Sequence, residues 1–349
     1  MQFLGVDIGG ANLKLATVAE YATTIPFALW RAPQELGANL TKAIADAPAH
    51  NAIAATTTGE LADCFTTKRE GILAIYSALA TAAGERPVFV YLTDGRFVSI
   101  SEAIASPELA AASNWHALAR FAGRFTPTGE SLLIDIGSTT ADLVPLSSGR
   151  PSCRGRTDTE RLLHGELVYT GVTRTAVASL VQTLPWRGRE CPIARELFAT
   201  SLDAHLILEN LPEDSLDTNT ADGRPAMRWA ARDRLARMIG ADRDTFDDDD
   251  ALRAAKSIAA AQRRLIGDAL QRLLERGAER PKNFLLSGQG EFLARQVLDE
   301  LQVAGLRISL SERLGASVSQ AAAAYALAVL AQESIDAEPA DTTVTVALS

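Results

Sequence analysis

The chain has 349 residues, 47% hydrophobic and 22% charged, with a formal net charge of −9. That length suggests about two domains, and the composition excludes collagen-like, disordered and disulfide-scaffold classes. The acidic excess argues against nucleic acid as a partner, and the scattered Cys64, Cys153 and Cys191 form neither a disulfide framework nor a zinc set. There is no signal-peptide pattern and no apolar run long enough to span a bilayer, so the expected setting is cytoplasmic, with no membrane partner.

In chain order, residues 2–8 read as a buried strand ending at Gly9-Gly10, and 12–19 as its antiparallel partner across a hairpin turn. A third strand is expected over 24–30 and a helix over 33–47, begun by Pro33 and stopped by Pro48. A strand over 52–58 leads into Thr56-Thr57-Thr58-Gly59. Ile72, Ile75, Tyr76 and Leu79 set a helical period over 67–84 that ends at Gly84. A strand over 87–92 and a helix over 113–125 follow.

At residue 131 the opening pattern returns. Offset by 128 positions, Asp7 falls on Asp135, Gly9 on Gly137, Gly10 on Ser138 and Lys14 on Asp142. Each copy is an apolar strand, an acidic residue at its end, a small-residue turn and a second strand, which points to a duplicated α/β nucleotide-type fold. Helices are expected over 157–167, 194–209, 226–239 and 250–276, with a loop over 212–224. A short strand over 283–286 then meets Ser287-Gly288-Gln289-Gly290 and a helix from Glu291. An Ala-rich helix over 312–333 closes the fold. Residues 1–128 and 129–333 make the two lobes, with 334–349 a loose tail.

Backbone N–H groups in a small-residue turn can converge on an anion, and a nearby Asp can bind Mg²⁺, which in turn holds phosphate. Gly9, Gly10, Gly137, Ser138, Thr139 and Thr140 are therefore the candidate phosphate cradle, with Gly288 and Gly290 as a third element. Asp7, Asp135 and Asp142 are the candidate metal ligands. Lys14, or the amide of Asn12, is placed to meet a phosphate oxygen. The alternative is a pair of core hairpins with turn glycines.

The two hairpins and the late glycine turn resemble the acetate and sugar kinase/Hsp70/actin superfamily. That resemblance implies a two-lobed actin-like ATPase (ribonuclease H-like) fold with its site in the cleft between lobes. The late turn departs from the adjacent glycines usual there. The stretch Thr56-Thr57-Thr58-Gly59-Glu60-Leu61-Ala62-Asp63-Cys64-Phe65 resembles hydantoinase A/oxoprolinase-like proteins. Ser113-Asn114-Trp115, Asp158-x-x-Arg161 through Gly171, Arg174-Thr175, Phe198-Ala199-Thr200-x-x-Asp203 and Thr220–Arg224 resemble one branch of that family, the synthases of methanofuran/methylofuran biosynthesis. That branch implies a transferase. It condenses an aminomethyl-furanmethanol diphosphate with γ-glutamyltyramine, forms an aryl ether and releases diphosphate, with Mg²⁺ as cofactor and ATP not a stoichiometric reactant. The rivals are an ATP-dependent hydantoinase-type hydrolase or kinase, and a non-enzymatic ATP-gated module.

A phenol attacking carbon is helped by a base. Glu60 and Asp63 are candidates for base and water-positioner, or else cap a short helix. Asp158, Arg161 and His164 are candidates for the substrate's amine or glutamate end, or else form a solvated helix face. Trp115 and Trp229 stack on substrate rings or belong to the core. Asp247–Asp250 binds metal or complements a helix dipole. Cys64 has no nearby His to activate it and reads as a structural thiol.

Overall fold

Apart from Asp7, the first strand is apolar on both faces through Phe3, Leu4, Val6 and Ile8, and β1 (Phe3–Gly9) is buried along most of its length in the structure, a computed structural model that describes residues 1–19, 21–277 and 279–336. The chain reverses at Gly10-Ala11 into β2 (Asn12–Thr17), which pairs antiparallel with β1 and with β3 (Ala22–Pro26). The third strand stops at Pro26, short of the expected Trp30, because the following backbone turns back to bond the first hairpin's turn. α1 (Leu36–Asp46) crosses over to β4 (Ala52–Thr58), and α2 (Lys68–Ala83) to β5 (Val88–Tyr91); both strands run parallel to β1. Parallel neighbours need such crossovers. Thr67 caps α2 by accepting from the Glu70 N–H, and Gly84 ends it. β6 (Phe97–Val98), α3 (Ile100–Ala105), α4 (Pro107–Ala110) and α5 (Asn114–Ala122) follow. The sheet order is β3-β2-β1-β4-β5-β6, with Leu4, Ile8, Leu13, Ile53, Ile72 and Leu79 in its core.

The second copy builds β7 (Glu130–Ile136), β8 (Ala141–Ser147) and β9 (Arg150–Pro151), then α6 (Asp158–His164), β10 (Leu167–Val168) and α7 (Val177–Leu180). The segment read as mainly helical also contains an antiparallel pair, β11 (Thr183–Trp186) and β12 (Arg189–Pro192). Its turn, Arg187-Gly188, has both residues at positive φ, the geometry of a two-residue hairpin. The helix expected over 194–209 is only α8 (Ser201–Ile207), begun by a capping box between Thr200 and Asp203. α9 (Arg228–Arg237) and α10 (Asp248–Arg276) lead to β13 (Asn283–Ser287), α11 (Glu291–Glu300), β14 (Leu306–Ser309) and α12 (Leu310–Leu314). The central strands run β10-β8-β7-β13-β14, with β9 also on β8. Leu132, Ile134, Leu270, Phe284 and Leu293 fill this unit's sheet–helix core.

The chain divides into two compact units, residues 1–121 with 314 onward, and residues 122–313. α13 (Ala316–Gln320) and α14 (Ala322–Asp336) therefore belong to the first unit and not, as expected, to the second lobe. Ala321 and Ala324 pack on Ala16 of β2 with Ala22 and Tyr325 beside them, so the small side chains are an adaptation to the first sheet. Residues 334–336 complete α14, and the rest of the expected tail lies outside the described residues. Each unit has a three-stranded antiparallel run, β3-β2-β1 or β10-β8-β7, followed by two parallel strands, β4-β5 or β13-β14. This ribonuclease H-like order, present twice, is the duplicated fold of the actin-like ATPase class. No helix among the described residues is long and apolar enough to cross a membrane.

Candidate active site

In the first unit, strand register puts Lys14 and Thr56 beside Asp7. Asp7 is buried, and its Oδ1 meets no hydrogen-bond partner among the described residues. Burial raises its carboxyl above the ordinary value, and the positive charge of Lys14 offsets part of that rise. Beyond Asp7 the turn is held from outside. The Leu29 N–H donates to the Gly10 carbonyl at 2.9 Å and the Phe27 N–H to the Ala11 carbonyl at 3.0 Å. The turn's carbonyl oxygens, which would repel an anion, are thereby occupied. The Ala11 N–H has no acceptor among the described residues, while the Gly10 N–H faces β4, where Gly9 pairs with Thr58. β4 is locked to the same strand end: the Thr57 hydroxyl donates to the Ile8 carbonyl at 2.8 Å and accepts from the Gly59 N–H at 3.1 Å.

The second unit repeats the device. The Gly137 N–H donates to the Thr140 carbonyl at 2.9 Å. The Val172 N–H donates to the Gly137 carbonyl at 3.0 Å, and the N–H groups of Thr173 and Arg174 to the Ser138 carbonyl at 3.2 and 3.0 Å. The N–H groups of Ser138 and Thr139 again have no acceptor among the described residues. Gly171 lies so close that a Cβ there would come within 2.4 Å of the Ser138–Thr139 peptide. The late glycine turn abuts the same place. Gly288, at φ +84°, has room for no Cβ, which would lie 2.3 Å from the Ile136 carbonyl and 2.8 Å from Asp135 Oδ1. The Gly290 N–H donates to that carbonyl at 2.9 Å. Gly288 and Gly290 thus brace the end of β7, and Ser287 pairs in register with Asp135. Two turns with occupied carbonyls and open N–H groups, each beside a strand-end Asp, are suited to oxyanions of phosphate type.

Other expected residues separate. Glu60 is buried, while Asp63 is exposed. They do not cap a helix, since residues 60–64 form turns and Thr67 caps α2. Asp142 does not offer an open metal-binding carboxylate. Its Oδ1 accepts from Arg161 Nη2 at 2.7 Å, and Arg161 is only 1% exposed, with Asp158 at 3.7 Å on its other side. Arg161 is thus the internal counter-ion of Asp142, neither a substrate ligand nor a solvated face. Its helix mate His164 is half-buried, and its carbonyl accepts from Arg276 at 2.8 Å. Asp247–Asp250 is a capping box for α10, with Asp250 also paired to Arg253 at 2.7 Å. Trp115 is core; Trp229 is exposed, with the Arg224 guanidinium 5.6 Å from its ring centroid. Burial first, then the charge of Asp63, pushes the Cys64 thiol up, as befits a structural cysteine.

Sequence reasoning missed Tyr76, taken only as an apolar helix position. Its buried hydroxyl has no partner among the described residues; burial, then the charges of Glu60 and Asp7, raise its phenol well above the ordinary value. Asp7, Glu60 and Tyr76 therefore share one internal neighbourhood. The family-like motifs were visible, but not their purpose. Ser113 bonds Thr56 at 2.6 Å and the Tyr91 carbonyl at 2.8 Å. Asp203 pairs with the fully buried Arg234 at 2.7 Å, and Arg234 with Asp222 at 3.0 Å. Burial would raise Asp222, but hydrogen bonds from Arg224, Arg237 and Arg234 hold it well below its ordinary range.

Among the described residues no three His, Cys, Asp or Glu side chains converge on a metal-sized site. Mg²⁺ is commonly held by one or two carboxylates, with substrate phosphates and water completing its shell. The buried, unsatisfied oxygen of Asp7 fits that demand, and Asp142 does not.

The profile of the hydantoinase/oxoprolinase family matches residues 51–334. The chain is 32% identical, over 96% of its length and 99% of the relative's, to the (4-{4-[2-(gamma-L-glutamylamino)ethyl]phenoxymethyl}furan-2-yl)methanamine synthase of Methanocaldococcus jannaschii. It is 28% identical to the protein of the same description from Methanococcus vannielii, over 59% of this chain and 93% of that one. Among solved structures, the activator of 2-hydroxyisocaproyl-CoA dehydratase from Clostridium difficile with bound ADPNP aligns over 98% of this chain and 100% of its own, at 13% identity and TM-score 0.45. The archaeal actin homolog Ta0583 in complex with ADP aligns over 95% and 100%, at 13% identity and TM-score 0.46. With the profile covering most of its length and the curated relative matching nearly end to end, the chain belongs to the hydantoinase/oxoprolinase family.

Proposed function

We propose that the chain is a synthase of the furan C1 carrier methanofuran or methylofuran, forming the furfuryl aryl ether of (4-{4-[2-(γ-L-glutamylamino)ethyl]phenoxymethyl}furan-2-yl)methanamine. The observation that carries this is the near-complete alignment with the Methanocaldococcus jannaschii synthase. The product for which that synthase is named contains one bond that joins two ready-made halves, the phenoxymethyl C–O bond. Disconnecting it leaves γ-glutamyltyramine as the phenol and an aminomethyl-furanmethanol with a leaving group on CH₂.

That leaving group is diphosphate in our reading. The support is the pair of turns with open N–H groups, each next to a strand-end carboxylate. The phenol oxygen forms a bond to the furfuryl CH₂, the C–O bond to diphosphate breaks, and diphosphate leaves with the electron pair. The phenolic proton passes to a base, for which buried Glu60 is the candidate. An ordinary phenol pKa of about 10 makes such a base useful. Lys14 supplies positive charge beside Asp7, and Asp7 would hold the Mg²⁺, with Asp135 its counterpart in the second unit. Bound Mg²⁺ supplies charge neutralisation for the departing diphosphate. In the first unit Gly9, Gly10 and Asn12 are the candidates to meet phosphate oxygens, and in the second unit Gly137, Ser138, Thr139 and Thr140.

The test is the reaction of the furan diphosphate with γ-glutamyltyramine and Mg²⁺, with and without ATP, following ether, diphosphate and ADP. Ether formed without ATP, with one diphosphate per ether, is the expected result. A strict ATP requirement with matching ADP would overturn it in favour of a kinase or ATP-dependent hydrolase.

A further inference from the structure

Behind the second turn runs a buried chain of polar side chains that the chemistry above does not use. Gln262 of α10 and His205 of α8 are both fully buried. Gln262 Nε2 donates to the Gly171 carbonyl at 2.8 Å and to the Thr170 hydroxyl at 2.9 Å. With both amide protons committed there, its Oε1 is an acceptor only, 2.9 Å from His205 Nε2. His205 must carry its proton on Nε2 to make that bond, which leaves Nδ1 to accept from Asn210 Nδ2 at 3.2 Å. Burial lowers the His205 pKa, in keeping with this neutral ring. The donors thus point one way, from Asn210 through His205 and Gln262 to the Thr170–Gly171 peptide.

That peptide begins the loop whose next three N–H groups occupy the Gly137 and Ser138 carbonyls, and Gly171 itself lies against the Ser138–Thr139 peptide. We infer that Gln262, oriented by His205, is a positioning residue for the anion cradle of the second turn. It fixes the loop that keeps the turn's carbonyls occupied and its N–H groups open. Gly171 also accepts from Ser201 at 2.7 Å and Thr175 at 3.1 Å, so loss of Gln262 loosens the loop without removing every tether. The inference rests on the reading of that turn as a diphosphate site.

The experiment is calorimetric titration of the full chain with inorganic diphosphate and Mg²⁺, together with KM for γ-glutamyltyramine. Gln262→Met keeps the volume but removes the donors, and the diphosphate Kd is expected to rise on the order of 10-fold, with KM for the phenol unchanged. Gln262→Glu still accepts from His205 but, when ionised, cannot donate to Gly171, and in that form is expected to lose as much. It also carries the test if the Met variant does not fold. His205→Gln, whose amide can still donate to Gln262, is expected to retain the wild-type Kd. Unchanged diphosphate binding in the Gln262 variants, or an equal loss for both substrates, would overturn the inference. A wild-type chain that binds no diphosphate would overturn the diphosphate reading itself, and this inference with it.

Discussion

Asp7 is a charge placed where folding alone would not put one. A buried carboxylate oxygen without a partner costs about 1–3 kcal/mol, and nothing in the strand ladder needs it, since Asp7 pairs through its backbone. Its pKa is raised on folding from an ordinary 3.8. A carboxyl with a raised pKa binds its proton more tightly in the folded state. Stability therefore falls as pH climbs from the ordinary value through the raised one, and stays lower above it. Asp7→Asn removes that penalty. The expected outcome is a variant more stable than wild type by about 1 kcal/mol or more at neutral pH. The gap should close towards pH 4 and widen on raising the pH, while ether synthesis is lost. Thermal unfolding across pH, beside turnover, checks this; a less stable Asp7→Asn at neutral pH would make the carboxylate structural.

Between elements, the junction of α6 with β8 shows how a local pattern misleads. Asp158, Arg161 and His164 look like a polar helix face presented to a ligand, because their spacing is helical. The partner that decides otherwise, Asp142, lies on a strand in an earlier stretch of the chain, and only the fold brings it to 2.7 Å. Tyr76 was hidden for the opposite reason: periodicity registers the ring as apolar and is blind to the hydroxyl. The two hairpins, by contrast, were readable at once. An apolar run, a terminal Asp and a small-residue turn specify strand, end and reversal within a dozen residues. The bonds from residues 27–29 and 172–174 that make those turns anion-competent join distant segments and carry no local mark. The Arg161 pair gives a direct test. Arg161→Met leaves the buried Asp142 charge uncompensated and is expected to cost about 3–5 kcal/mol, with most of it recovered in Asp142→Asn/Arg161→Met. Urea unfolding of the single and double variants measures this. A rise in KM with unchanged stability would return Arg161 to the substrate.

At the level of the whole chain, the same sheet order occurs twice, but the two copies are closed differently. The second unit is continuous, residues 122–313, and draws its covering helices, α10 and α11, from inside that span. The first unit is discontinuous, because α14 packs on β1, β2 and β4 from the far end of the sequence. Chain order made that helix look like the end of the second lobe, whereas the stripe of alanines that fits it to Ala16 is specific to the first sheet. A sheet face deprived of its helix exposes a contiguous apolar surface, which promotes association rather than cooperative folding. The fragment 122–313 is therefore expected to fold alone with a single unfolding transition. The fragment 1–121 is expected to aggregate or lack one, and to regain it when 314–336 is joined to it through a flexible linker. Circular dichroism with denaturant and sedimentation of the three fragments would decide. Cooperative, monomeric folding of 1–121 by itself would show that α14 is an addition to a sheet already stable, and that the first unit ends where its strands do.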